Sequence, residues 1–386
     1  MSDGGGGVPE AERLARAALS QVAEPGSVAL LEAVARRGGR AVYDDLLAGR
    51  SRLSPDLAAR MARVDAAVEL ERAESLGIRF VVPGDDEWPT ALDDLSYPEP
   101  VQDRGGVPVG LWIRGHGRLD ELSRHAVAVV GSRSATSYGC QLAYEIASGL
   151  AQEGQTVVSG AAFGIDHEGH RGALGVGAPT VAVLACGVDR AYPDKHAALL
   201  DHIAQTGLVV SEAPLGGAAM RVRFLARNRL IAGLCRGTVV VEAALRSGAL
   251  NTANWTAGLG RTLMGVPGPV NSLTSQGVHQ LIRNRGAILV TRAAEVLEAV
   301  GPLGSFLLAE PRGPERPRDS LTLEERQVLD AVPLRYPVAT GSVARTAGIQ
   351  PQRTRTLLDR LAAAGHVELG TDGWRVAGER PADPAG

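Results

Sequence analysis

The sequence predicts an α/β protein, a doubly wound parallel sheet with a small helical domain before it and a winged-helix-like unit after it. Three observations carry this expectation. Between residues 126 and 290, short and continuously apolar β-rich runs alternate with helical stretches. Such runs suit strands covered on both faces, and repeated βα units give a parallel sheet whose ligands sit outside the strands' carboxyl ends. Charge is segmented: residues 1–125 hold 15 basic and 21 acidic residues, residues 126–300 hold 14 and 11, and residues 301–386 hold 11 and 11. A Pro- and charge-rich stretch at 311–317 separates the sheet pattern from a final run of three helices and a hairpin.

Taken in order, residues 1–82 read as short helices, because apolar residues recur at three- and four-residue spacing (Leu14, Ala18; Val28, Leu31, Val34; Val64, Val68) between Gly38-Gly39, Gly49 and Ser54-Pro55. Their net negative charge favours docking or structure over contact with DNA backbone. Residues 83–125 form a Pro- and Gly-rich connector with one strand near 111–113. Together with the strands at 126–130, 156–159, 180–184, 208–211, 238–241, 262–266 and 287–290, this connector completes a domain spanning 83–300. The intervening helices are expected at 138–153, 194–204, 224–234, 250–259 and 278–285. A linker follows at 301–320, then the winged-helix-like unit at 321–378 and a disordered tail at 379–386.

Composition limits function. The 386 residues allow two to three domains, and the 45% hydrophobic, 22% charged composition with a net charge of -3 excludes a uniformly basic nucleic-acid coat. Cys140, Cys186 and Cys235 are too few and too scattered for a disulfide framework, and read as core thiols of a reducing cytosol. A secretory leader and a membrane span are not expected. Of 40 Lys+Arg residues only Lys195 is lysine. GC-rich codon usage accounts for the arginine excess, but not for the one lysine that remains.

Four strand-end segments carry the chemistry. The first turn, Gly131-Ser132-Arg133, lacks the G-x-G-x-x-G spacing of a dinucleotide site, so no cofactor is expected. Its hydroxyls, helix-terminal amides and guanidinium suit a single phosphate. The second, Ser159-Gly160 through Phe163 and Asp166 to His170, faces the same edge; Asp166 is expected to cap its helix, and the histidine spacing does not suit zinc. The third places Lys195 just after Tyr192-Pro193, where a cation opposes the helix dipole and is better explained by a bound phosphate. The fourth is the most one-sided window, with Arg221, Arg223, Arg227, Arg229, Arg236, Arg246 and Arg261 against Glu242 alone. Phe224 and Asn228 lie within it, and the segment reads as a polyanion track.

These motifs, namely Gly131-Ser-Arg133, Ser159-Gly160 with Gly164-Ile-Asp166 and His170, Tyr192-Pro193, Arg227-Asn-Arg229, Glu242 with Arg246-Ser-Gly248, Val266-Pro-Gly268, and Gly277 with Leu281-Ile-Arg283, resemble the DNA-processing protein A family (DprA/Smf). The resemblance covers the whole middle domain, in the right order. It implies an extended Rossmann-like sheet and a cytoplasmic, non-enzymatic homodimer that binds single-stranded DNA. Such a protein protects incoming strands and loads the RecA recombinase in natural transformation or recombination, with a single-strand-binding protein as a further partner. Arg133 and Lys195 match the family's binding residues. Phe163 replaces an often basic residue, and His196 stands where asparagine is common. Dimer and RecA contacts are implied around 257–285. Phe163 and Phe224 are the candidates for base stacking.

Two other readings are open. Glu242, at a strand end, could be the carboxylate of a phosphoribohydrolase-like N-glycosidase, although 238–241 contain no glycine loop to hold a phosphate. Residues 321–376 could read duplex DNA, with Arg353 and Arg355 at the start of the recognition helix.

Overall fold

The computed structural model describes residues 7–50, 53, 55–302, 304–308 and 318–377. The Pro-rich segment 311–317 and the expected tail at 379–386 lie outside the described residues. Two compact units result, residues 1–308 and 309–386.

In the first unit, helices α1 (Glu10–Val22), α2 (Val28–Arg37), α3 (Gly39–Leu47), α4 (Pro55–Met61) and α5 (Ala66–Ser75) precede the sheet. Their apolar positions meet in one cluster: Leu19 and Val22 of α1 pack with Leu30 and Val34 of α2 and with Val42 and Leu46 of α3. Asp65 caps α5, accepting from the amides of Ala67 and Val68 at 3.1 and 3.2 Å.

The sheet of the described residues comprises β1 (Ile78–Val81), β2 (Leu111–Arg114), β3 (Ala126–Val130), β4 (Thr156–Ser159), β5 (Thr180–Val183), β6 (Leu208–Ser211), β7 (Gly237–Val240), β8 (Thr262–Gly265) and β9 (Ile288–Leu289), in the order β1-β2-β6-β5-β4-β3-β7-β8-β9. From β6 to β9 neighbours pair in parallel, while β1 and β2 join antiparallel at the edge. The sheet is therefore mostly parallel rather than wholly so. Strand β1 was not expected, because Ile78–Val81 is short and carries Arg79; it gains its place by pairing with β2 and burying Ile78, Phe80 and Val81. Inside the connector, a 3₁₀ turn at Thr90–Ser96 buries Leu92 and Leu95 against the core.

Helices α6 (Leu119–Ser123), α7 (Ser137–Gln152), α8 (Ile165–Gly175), α9 (Ala197–Thr206), α10 (Arg221–Leu234), α11 (Ala249–Gly258), α12 (Gln276–Arg285) and α13 (Ala293–Val300) alternate with the strands. Side chains of β3 show how both faces are covered. Ala126, Ala128 and Val130 share a cluster with Leu230, Ile231 and Leu234 of α10, whereas Val127 and Val129 pack with Ile146 and Leu150 of α7. Strand order reverses between β3 and β7, and a crevice opens there at the carboxyl ends.

One buried ion pair locks α10 to this frame. Arg229 is 0% exposed and lies 2.8 Å from Glu212, just past β6. Arg229 also donates to the carbonyls of Gly105 and Ala226, and Glu212 accepts from the amide of Gly26 at 3.4 Å. At the start of the helix, Arg223 holds Glu24 through contacts of 2.8 and 3.0 Å.

The second unit contains α14 (Leu323–Asp330), α15 (Thr340–Ala347) and α16 (Pro351–Ala363), followed by the antiparallel pair β10 (Val367–Gly370) and β11 (Gly373–Val376). Val328, Val343, Leu357, Leu358, Leu361 and Trp374 form its core. Thr322 and Glu325 close a capping box on α14. Arg353 pairs with Glu324, and Arg355 pairs with Asp359 while lying over the Trp374 ring.

Removing one partner of a buried pair leaves the other charge uncompensated, which costs about 3–5 kcal/mol. Arg229→Ala is therefore expected to destabilise the first unit by about that amount in a denaturant titration. Unfolding at an unchanged midpoint would contradict the role given to this pair.

Candidate nucleic-acid interface

The crevice is built first from two loops that lie against one another. After β3 the chain turns at Gly131, where a Cβ would come within 2.6 Å of Ile165 and 2.8 Å of the Glu242 carbonyl. After β4 it passes Gly160 and Gly164, the latter at φ 74°, and Ile165 donates its amide to the Ser132 carbonyl at 3.2 Å. Ser132 Oγ accepts from the Ser134 amide at 3.2 Å, closing a tight local turn that leaves Arg133 exposed.

Glu242, 2% exposed at the end of β7, completes this wall from below. Its carboxylate accepts from the Thr136 amide at 2.9 Å, the Thr136 hydroxyl at 2.7 Å and the Thr274 hydroxyl at 3.1 Å. The protein's own carboxylate thus occupies the α7 amino terminus, where free amides were expected to receive a phosphate. The groups left open to a ligand are the side chains above it.

Those side chains converge from α10 and the loop after β7. Phe224, Arg227 and Asn228 line the crevice opposite Arg133, and Arg246 stands exposed at its rim; it encloses about 540 Å³. Arg133 lies over the Phe224 ring at 4.5 Å, Arg227 is 5.8 Å from the same ring, and Tyr192 meets it edge-on at 5.6 Å. Phe224, expected to stack a base, is a platform for guanidinium groups. Asn228 donates to the Gly248 carbonyl and to Asn251, which fixes the loop carrying Arg246.

Arg227 is 6% exposed and donates to the Val183 carbonyl at 3.0 Å. Its guanidinium occupies the space a side chain at Gly160 would need. Burial lowers its pKa to about 10, partly opposed by Asp166, while Arg133 lowers it further. Asp166 accepts from the Gly160 amide at 3.2 Å, and its burial raises its pKa against the pull of Arg227. An adjoining slot of about 290 Å³ shares Arg133 and Phe224 and is bounded by Phe163, Tyr192, Pro193 and Asp194.

Other expected residues have different places. Lys195 is exposed in a 3₁₀ turn (Asp194–His196) ahead of α9, and makes no ion pair among the described residues. Arg221 is exposed at the first position of α10. Arg223 and Arg229, expected to contact DNA, are committed to Glu24 and Glu212. Ser159, expected at the same surface, is fully buried and donates to the Val129 carbonyl at 2.6 Å. Sequence reasoning missed Thr274 and the seating of the Tyr192 ring against Phe224. The Tyr-Pro motif marked the second, but no local pattern marked the first.

A larger cavity, about 670 Å³, lies at the opposite edge beside Arg124, Arg236 and Arg261. There Arg261 is spent on the carbonyls of Ala91, Ala232, Gly233 and Cys235. Arg124 and Arg236 make no ion pair among the described residues at that edge, whereas Arg133, Arg227 and Arg246 stand together around one crevice at the carboxyl edge. No group of three His, Cys, Asp or Glu residues among the described residues could hold a metal ion, and no helix among them is long and apolar enough to cross a membrane.

His170 is structural. Its Nδ1 lies 2.9 Å from the Thr180 hydroxyl, which itself donates to the Val157 carbonyl, so the ring donates through Nδ1 and is neutral. Burial lowers its pKa to about 3, with His167 and His196 adding to the effect. The unfolded chain takes up this proton near 6.5 and the folded chain does not. Stability is therefore expected to fall as pH drops from about 7.5 to about 5, and less steeply in His170→Asn. Equal pH dependence of the melting temperature in both proteins would count against this.

Residues 80–301 match the family model described as DNA recombination-mediator protein A. A DNA processing protein DprA of Mycobacterium tuberculosis (strain ATCC 25618 / H37Rv) is 43% identical over 362 residues, covering 93% of this chain and 92% of that protein. Protein Smf of Escherichia coli (strain K12) is 41% identical over 207 residues, 53% of this chain and 54% of that protein. The crystal structure of DNA processing protein A from Streptococcus pneumoniae superposes with a TM-score of 0.63 at 31% identity, covering 76% of this chain and 99% of that one. A Rossmann-like sheet carrying the Gly131–Arg133 turn, the Arg227-Asn-Arg229 helix and the strand-end Glu242, with these relatives, places the chain in the DNA recombination-mediator protein A (DprA/Smf) family.

Proposed function

We propose that this chain binds single-stranded DNA in the crevice at the β3/β7 switch point, as a cytoplasmic recombination mediator that protects the strand and passes it to RecA. One observation carries the reading: Arg133, Arg227 and Arg246 converge there, while the nearby carboxyls are turned away from a ligand, Asp166 buried beside Arg227 and Glu242 buried and engaged by Thr136 and Thr274. Lys195 and Arg221 extend the positive surface along the same edge. Backbone recognition with little sequence reading suits a chain with 4% aromatic residues. Transfer to RecA, a role in transformation and a single-strand-binding partner rest on the family resemblance. A homodimer draws support from the edge strand β9, where Ile288 and Leu289 are 48% and 50% exposed.

The chain acts by binding rather than by catalysis in this reading. Glu242 accepts two hydrogen bonds from Thr136 in the first turn and one from Thr274, and is not free to attack a glycosidic carbon. Release of free base from nucleoside monophosphates, lost in Glu242→Ala, would overturn that. The second unit is proposed as an auxiliary, winged-helix-like module, since its candidate arginines are already paired. A chain ending at Val300 is then expected to keep most of the strand affinity.

Arg133→Ala and Lys195→Ala are each expected to weaken binding of a single strand in a gel shift while leaving the melting temperature nearly unchanged. With about three to five phosphates engaged, log affinity is expected to fall against log salt with a slope of about −2 to −3.5. Unaltered affinity in both variants would refute the proposed surface.

A further inference from the structure

We infer that the slot beside the crevice seats one nucleobase and that Asp194 selects guanine there, an inference that rests on the single-strand reading above. The slot of about 290 Å³ has the chemistry of a base site. Phe163 and Tyr192 are each 45% exposed and line it together with Pro193. Each ring is braced at its edge, Phe163 by His196 at 4.7 Å and Tyr192 by Phe224 at 5.6 Å, so both hold position without a ligand. The Gly160 and Ala162 backbone completes the lining, and Arg133 stands at the boundary with the crevice to take the adjoining phosphate.

Asp194 is the carboxylate in this lining. It is exposed and makes no side-chain hydrogen bond or ion pair among the described residues. Beside a phosphate track an unpaired carboxylate is repulsive, so it opposes a nucleic acid unless a donor meets it. Guanine presents N1–H and the N2 amino group side by side, a match for the two carboxylate oxygens. Cytosine and adenine present one amino group beside an acceptor, and thymine one N–H between two carbonyl oxygens. Paired donors to one carboxylate favour guanine.

Competition between oligothymidylate strands carrying a single central guanine, inosine or thymine tests this on the full chain. The guanine strand is expected to compete about fivefold better than the all-thymine strand, with inosine, which lacks the N2 amine, in between. In Asp194→Ala the guanine-to-thymine ratio is expected to fall to about one. Binding of all strands without preference, or a preference that survives in Asp194→Ala, overturns the inference and leaves the single-strand reading standing. Failure of every strand to bind overturns both.

Discussion

The contact on which the site depends is the buried pair of Arg229 and Glu212. Two charges taken out of water are expensive, and here they are compensated by each other and by the Gly105 and Ala226 carbonyls and the Gly26 amide. Glu212 follows β6, Gly26 belongs to the amino-terminal helical segment and Gly105 to the connector. A single pair therefore ties three stretches of chain to α10. With the helix held there, Phe224, Arg227, Asn228 and Ile231 face the crevice.

A second constraint explains why the crevice stays basic although acidic residues surround it in sequence. Glu242 and Asp166 would each weaken anion binding if they were open to the cleft. Glu242 is used up by Thr136 and Thr274, at the helix terminus that would otherwise attract a phosphate. Asp166 is buried beside Arg227 with its pKa raised. The guanidinium groups facing the crevice are Arg133 and Arg246, exposed at its rim, and the buried Arg227.

Much of the sheet was legible in the sequence, because β3 to β8 are continuous apolar runs that only burial on both faces explains. β1 was not, since four residues containing Arg79 gain their stability from pairing with β2 and carry no pattern of their own. In the site, the basic density after residue 220 was visible but its sorting was misjudged. Residues 224, 227, 228 and 231 share a helical face by their spacing, whereas 223 and 229 fall away from it, so helical period separates ligand-facing from structural residues in that window. The partnership of Glu242 with Thr136, 106 residues apart, had no local signal.

Hydrogen–deuterium exchange of the full chain with and without a saturating oligothymidylate strand tests the central claim most directly, because it reports where the strand lies without altering any residue. The account predicts slowed exchange in residues 131–137, 160–164, 192–196 and 244–248, the loops around Arg133, Phe163, Lys195 and Arg246. Protection confined to residues 340–376, with those loops unchanged, would contradict it.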